Sequence, residues 1–160
     1  MAGDFTITVD ATAVRRTFEL YPEAAARKLN SLIEGGAIDL QGEIRRDAPV
    51  HDGQYRRSVD YKLNKGRFEA NIAPRVKYAK PVETGSRPHW TSVKPGSSLR
   101  KWADSKGINP YAVQRSIAKK GTKAQWVVRD VFRRERGGVQ RDIVTGFARF
   151  IGEVNANGLR

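Results

Sequence analysis

Residues 23–50 read EAAARKLNSLIEGGAIDLQGEIRRDAPV. Small and apolar residues recur there at the spacing of one helix face, at Ala25, Leu29, Leu32, Ile33, Gly36, Ala37, Leu40, Ile44 and Ala48. Pro49 disfavours helical geometry at the residue before it, so the pattern predicts one long amphipathic helix that ends at Ala48. Because glycine costs about 1 kcal/mol relative to alanine inside a helix, Gly35 and Gly36 predict either a bend or a close approach of another backbone.

Two elements are predicted before this helix. Residues 5–9 alternate apolar and polar side chains and are rich in β-branched types, which indicates a short strand. Val14, Phe18 and Tyr21 then recur at helical spacing, and Pro22 separates this first helix from the long one.

After the long helix the pattern changes to the period of a strand. Alternate side chains over residues 55–63 share one face of an extended segment. Asn64-Lys65-Gly66 supplies a turn, and residues 68–72 return, which predicts an antiparallel hairpin. Residues 77–84 are predicted as a third extended segment, at an edge or with a break because of Pro81.

Residues 87–125 are predicted to be a helical insertion. Leu99, Trp102 and Ala103 share one face of a first short helix. A second begins where Asn109 can act as the N-cap of a helix whose first residue is Pro110.

The last part of the chain is predicted to be helical. Residues 126–128 indicate a strand or the start of a helix, and apolar residues at helical spacing over 139–154 predict a terminal helix. The fold class expected is α+β, with a small antiparallel sheet packed against the long N-terminal helix and the C-terminal helix. Residues 1–160 are expected to form a single domain with the helical insertion at about 87–125.

Charge and composition narrow the function classes. Thirty Lys and Arg against 17 Asp and Glu leave +13, which attracts nucleic acid, acidic protein surfaces or anionic lipid. The basic pairs are spread along the whole chain, which is more typical of a solvated surface than of a groove-reading site. The chain has no cysteine for disulfides or thiol chemistry. It also lacks an apolar run of about 18 residues, so no membrane partner is expected.

Residues that could carry catalysis are few. His51 and His89 are the only histidines, and His51 precedes Asp52. A His–carboxylate pair is a fragment of a catalytic or metal site, but a triad also needs a positioned nucleophile and an oxyanion site. A turn is therefore the favoured interpretation of His51-Asp52. The prediction is a protein that is not an enzyme and has no cofactor and no metal.

Three motifs carry a resemblance to a known family. They are Ala48-Pro49-Val50, then Gly53-Gln54-Tyr55-Arg56-Arg57-Ser58-Val59, then Tyr78-Ala79-Lys80-Pro81-Val82-Glu83-Thr84-Gly85. Their order and spacing resemble the tail-completion and head–tail joining family of long-tailed bacteriophages, named after the tenth gene product of a lambda-like coliphage. The similarity covers residues 23–90 well and residues 121–150 loosely.

The resemblance implies a structural virion protein of the neck or upper tail, assembled in the host cytoplasm as a subunit of a ring around the DNA channel. The implied partners are the head connector or stopper, the tail terminator or tail tube, further copies of the chain, and genomic DNA passing through the lumen. Glu83 lies in an otherwise basic stretch and is expected to pair with an arginine of its own or a neighbouring subunit. The interface candidates are Arg56, Arg57, Glu83, Arg87, Trp90, Lys119 and Lys120.

A basic DNA-binding accessory protein is the alternative. The insertion combines cations with Trp90, Trp102 and Tyr111, and exposed aromatic side chains can stack on unpaired bases. However, both insertion helices are shorter than an ordinary recognition helix, and Trp102 shares a face with Leu99 and Ala103, which favours its burial.

Overall fold

The computed structural model describes residues 11–49 and 53–157, which form seven helices and a two-stranded antiparallel sheet. The helices are α1 (Ala11–Leu20), α2 (Pro22–Asp47), α3 (Gln54–Ser58), α4 (Ala79–Thr84), α5 (Ser98–Ser105), α6 (Pro110–Lys120) and α7 (Val127–Asn157). The strands are β1 (Val59–Asn64) and β2 (Glu69–Pro74). The predicted α+β class is confirmed. The strand predicted at residues 5–9 and the His51-Asp52 pair lie outside the described residues.

The chain divides into two compact units. The first comprises the described parts of Met1–Glu43, Asp60–Ala73 and Val131–Arg160. The second comprises those of Ile44–Val59 and Pro74–Asp130, and it contains the whole of the predicted insertion.

Aromatic side chains form the core of the first unit. Phe147 and Phe150 of α7 are buried there with Ala25 of α2. Phe18 of α1 stacks on Phe147, with 6.0 Å between ring centroids, and meets Phe68 of the hairpin turn edge to face at 5.7 Å. The hairpin turn thus takes part in the same aromatic cluster as α1 and α7.

The glycine pair of α2 marks a close approach. A methyl group added at Gly36 would lie 2.7 Å from Val139 Cγ1 of α7, whereas one added at Gly35 would meet nothing within 4 Å. The close neighbour is a side chain, not the backbone that the sequence suggested. Gly36 therefore lets α7 pack tightly on α2, and Gly35 has no such role in the described chain.

We expect Gly35→Ala to raise the free energy of unfolding by about 0.5–1 kcal/mol, because alanine is the better helix former and the added methyl meets open space. Gly36→Ala gains the same propensity but must displace Val139, so it should be the less stable variant. Urea denaturation of the two proteins measures the difference. Equal stabilisation by both substitutions would show that the packing of α7 on α2 does not require glycine at position 36.

Residues 54–58 are helical, so the prediction of a strand over 55–63 is wrong in its first part. Tyr55 and Val59, both buried, are separated by four residues, a spacing that one turn of helix places on the same side as readily as a strand does. The helix leaves Arg57 exposed, whereas a strand would have put it on the face of Tyr55. The extended structure begins at Val59.

Residues 77–84 are also not extended. Residues 79–84 form α4, and Pro81 lies in its first turn, where the missing N–H removes no helical hydrogen bond. Residues 126–128 resolve into the start of α7, which begins well before the predicted terminal helix. The two insertion helices are confirmed, with Asn109 Oδ1 accepting the N–H of Tyr111 at 2.9 Å.

Candidate interaction surfaces

The two ends of the insertion are joined by a short bridge in the second unit. Ser86 N–H donates to the carbonyl of Thr122 at 3.1 Å, and Thr122 N–H donates to the carbonyl of Ser86 at 3.2 Å. Gly85 has φ +73°, and a methyl group there would meet Thr122 O at 2.5 Å, so only glycine permits this approach. The insertion therefore begins and ends at the same place, the bridge between Ser86 and Thr122.

The segment after this bridge lies along α6. His89 N–H donates to Ile117 O at 3.4 Å, and Gln114 Nε2 donates to Thr91 O at 2.6 Å. Both neighbours of Trp90 are thus bonded to α6. Trp90 itself remains 73% exposed.

One side of α6 faces solvent and is basic. The exposed positions form two rows at four-residue spacing, with Tyr111, Arg115 and Lys119 in one row and Ala112, Ser116 and Lys120 in the other. Val113, Gln114, Ile117 and Ala118 are less exposed and form the inner side. We use the name α6 surface for the exposed side chains Tyr111, Arg115, Lys119 and Lys120 of α6, together with the exposed Trp90 of the segment bonded to α6.

The insertion concentrates positive charge. Residues 87–125 contain nine Lys and Arg against one acid, a net charge of +8 out of the chain's +13. That acid, Asp104, is paired with Arg100, whose Nε lies 3.0 Å from Asp104 Oδ2. No carboxylate lies on the α6 surface. Trp102 is half-buried beside the fully buried Ala103, as expected, so Trp90 and Tyr111 are the exposed aromatic residues of the insertion.

The predicted arginine pair belongs to α3. Arg56 is exposed. The Arg57 guanidinium folds back over Gly53, with Nη1 2.8 Å from where a methyl group on that glycine would lie. Gly53 also has φ +69°, so the tight turn predicted there is present.

Glu83 joins α3, α4 and α7 within the second unit. The Tyr55 hydroxyl donates to Glu83 Oε1 at 2.5 Å, and the N–H of Val128 donates to both carboxylate oxygens at 3.1 and 3.2 Å. Val128 lies in the first turn of α7, where a carboxylate satisfies a free backbone N–H and interacts favourably with the helix dipole. Within the described chain Glu83 bonds a phenol and a backbone amide and pairs with no arginine. A pair with an arginine of a neighbouring subunit stays a prediction.

The cap that Glu83 provides was missed at the level of sequence. The residues before α7 are Lys123-Ala124-Gln125-Trp126, none of which is a good N-cap type. The absence of a good N-cap residue at this point was the one local sign that a side chain from elsewhere in the chain caps the start of α7. Trp126, with φ +52°, is held in place because its N–H donates to Glu83 O at 3.2 Å.

Burial first, and then the hydrogen bond to Glu83, raises the pKa of Tyr55 above its ordinary value. The unfolded chain loses this phenolic proton near pH 10 while the folded chain keeps it, so the stabilisation present below about pH 10 is lost as pH rises above it. We expect the free energy of unfolding to fall more steeply above about pH 10 in the parent protein than in Tyr55→Phe. Urea titrations across that range test this, with the exposed Tyr111→Phe as control. Equal slopes for the parent and Tyr55→Phe would contradict the assignment.

The described chain offers neither a metal site nor a membrane-spanning helix. Among residues 11–49 and 53–157, no group of three or more His, Asp or Glu side chains is placed to hold a metal ion. Over the same described residues, no helix combines the length and the apolar character needed to cross a bilayer.

The second and third of the motifs that resemble the phage family are in direct contact, because the Tyr55 hydroxyl donates to Glu83. Residues 12–85 match the family model described as "Bacteriophage HK97-gp10, putative tail-component". The predicted resemblance is confirmed. The HK97-gp10-like segment spans α1 to α4 and both strands. Comparison with curated proteins and with solved structures gave no match.

Some of the predicted interface residues lie inside the matched residues 12–85, and others lie after them. Arg56, Arg57 and Glu83 lie inside the HK97-gp10-like segment, and Glu83 is committed to the contact between α3 and α7. The other candidates, all exposed, lie beyond the matched segment, at Arg87, Trp90, Lys119 and Lys120. The α6 surface is thus outside the part that matches the family.

Proposed function

We propose that this chain is a structural virion protein that completes the upper end of a phage tail and joins it to the head connector. The observation that carries the proposal is the match of residues 12–85 to a phage tail-component family. In this proposal the chain is not an enzyme, and its 160 residues act as one domain with an insertion at about 87–125. Assembly takes place in the host cytoplasm, and the product is part of the virion.

Ring formation follows from the same role. Subunits that surround a DNA channel make heterologous contacts, which close into a ring when the rotation per subunit fits. The ring would contact the head connector or stopper on one side and the tail terminator or tail tube on the other. Genomic DNA would pass through its lumen.

Exposed cations supply the joining contacts in this mechanism. Arg56 on α3 and the insertion, with its +8, present positive charge to the neighbouring proteins of the particle. Complementary acidic surfaces would steer association and fix the register of the parts.

Removal of the protein tests the role. A phage with a nonsense codon in this reading frame should accumulate filled heads and unjoined tails in a non-suppressing host, and the purified protein should restore joined particles. Imaging of virions labelled on this subunit should place the label between head and tail. Normal particles without the protein, or its absence from purified virions, would overturn the proposal.

We expect Lys119→Glu with Lys120→Glu to lower the yield of joined particles by about tenfold or more, because the reversal replaces attraction with repulsion at the proposed contact. Both side chains are exposed, so stability should change little. The matched control is Lys62→Glu with Lys65→Glu, an equal charge change on exposed lysines of the hairpin. If the insertion variant joins heads to tails at the normal rate, the insertion is not the contact.

The second candidate function is DNA binding, favoured by the cations and exposed aromatic residues of the α6 surface. A DNA-binding role requires affinity for duplex DNA with a steep salt dependence, and a much larger loss in the Lys119/Lys120 variant than in the Lys62/Lys65 control. Non-specific attraction by a chain of net charge +13 predicts equal losses in both variants. Titrating the purified chain and both variants with a duplex at several salt concentrations distinguishes a DNA-binding role from non-specific attraction.

A further inference from the structure

We propose that the α6 surface is a docking site for a second virion protein that presents carboxylates around an apolar pocket, with Trp90 as the anchor that enters the pocket. The inference rests on the proposed function in placing that partner in the same particle. It goes beyond it by naming the surface, the anchor and the chemistry of the partner.

Trp90 has the properties of an interface anchor. The residue is 73% exposed, which leaves a large apolar area in water that a partner could cover. The backbone on both sides is bonded to α6 through His89 and Thr91. Because the main chain around Trp90 is already held by these bonds, docking needs little further ordering of the backbone.

The insertion exposes two further apolar side chains besides Trp90. Tyr111 is 55% exposed at the start of the outer row of α6, and Ile108, just before the helix, is 43% exposed. Arg115, Lys119 and Lys120 supply the charged part of the same surface. Trp, Tyr and Arg are the residues that most often carry the binding energy of protein interfaces.

A second copy of this chain does not fit as the occupant. With +8 in residues 87–125, the rest of the chain still carries +5. A copy therefore offers no surplus of carboxylates to meet the α6 surface, and charge complementarity selects a different, acidic protein.

Duplex DNA fits the cations but not the apolar residues. Phosphates would pair with Lys119, Lys120 and Arg115 but would leave Ile108 and the aromatic rings largely in contact with water. An acidic protein surface with an apolar pocket would pair with the cations and also cover the apolar side chains. Unpaired bases can stack on exposed rings, so DNA is one of the outcomes that the experiment must distinguish.

The test uses a photo-crosslinking residue in the phage itself. Trp90→p-benzoylphenylalanine keeps an aromatic ring at an exposed position, and Tyr78→p-benzoylphenylalanine places the same group at an exposed tyrosine outside the insertion. Purified virions are irradiated, and the products are mapped by mass spectrometry and by nuclease digestion. We expect position 90 to cross-link to a different virion protein at a segment containing Asp or Glu, with a yield that Lys119→Glu and Lys120→Glu lower.

Other products overturn the proposal in distinguishable ways. If the chain is present in virions and position 90 links to DNA, to a second copy or to nothing, the docking site is wrong while the joining role stands. If the chain is absent from virions, both fail. Complementation of a deficient lysate adds a second measurement, in which Trp90→Ala should raise the half-maximal protein concentration about tenfold or more. Ile38→Ala, at an exposed apolar residue of α2, should leave that concentration unchanged.

Discussion

We expect Phe147→Ala to lower the free energy of unfolding by about 3–5 kcal/mol, a large fraction of the total stability of an ordinary domain. Phe147 is 5% exposed in the core of the first unit. Its ring contacts Phe18 of α1 and Phe150 of α7, with centroid separations of 6.0 and 5.8 Å. Truncation therefore removes apolar burial and two ring contacts, and it leaves a cavity that the flanking rings can only partly fill.

Chemical denaturation with linear extrapolation measures this loss. The matched control is Val144→Ala, which removes an apolar side chain from the same helix at a position that is 36% exposed. The control should lose less, because valine is smaller than phenylalanine and a side chain that reaches solvent leaves no closed cavity when it is shortened. Similar losses in the two variants would mean that the aromatic cluster is not the stabilising core.

Glu83→Ala should cost about 2–4 kcal/mol. The substitution removes the acceptor at the start of α7, and the loss of a helix cap typically costs about 1 kcal/mol. It also leaves the hydroxyl of the buried Tyr55 without its partner, and an unsatisfied buried polar group costs about 1–3 kcal/mol. Because this carboxylate accepts from both groups, its loss should lower the free energy of unfolding more than an ordinary surface substitution does.

A double-mutant cycle with Tyr55→Phe isolates the contact. Tyr55→Phe removes the donor and leaves Glu83 bonded to the Val128 N–H, so it should cost less than Glu83→Ala. In the Tyr55→Phe background Glu83→Ala should cost less than in the parent, because no hydroxyl is left unsatisfied. Glu153→Ala, at an exposed acid of α7, is the control. Strict additivity would contradict a direct role for the Tyr55–Glu83 bond.

The cycle also bears on the family resemblance. Tyr55 and Glu83 belong to two of the motifs that carry it, and both lie within the matched residues 12–85. Val128, which the same carboxylate caps, lies outside that match. Glu83 thus connects the HK97-gp10-like segment to the start of α7, which gives a folding reason for an acid at this place in a basic stretch.

Local patterns in the amino-acid order were sufficient for much of the architecture. The apolar period and Pro49 predicted α2, the N-cap Asn109 with Pro110 predicted the start of α6, and alternation around a turn predicted the hairpin. These signals act over about four residues, the range of helical hydrogen bonds and of strand alternation. The order of the three motifs was enough to predict the family.

Contacts between distant residues decided the rest. Tyr55 and Glu83 are 28 positions apart, and Glu83 and Val128 are 45 apart, so no local pattern shows that one carboxylate bonds both. The spacing of Tyr55 and Val59 fits both one turn of a helix and the alternation of a strand. Only the folded chain, in which both side chains are buried, shows that residues 54–58 are helical. That the residues on both sides of Trp90 bond to α6 while Trp90 stays exposed is likewise seen only in the folded chain. Periodicity and capping are short-range properties of the chain, whereas burial and long-range hydrogen bonds exist only after it has folded.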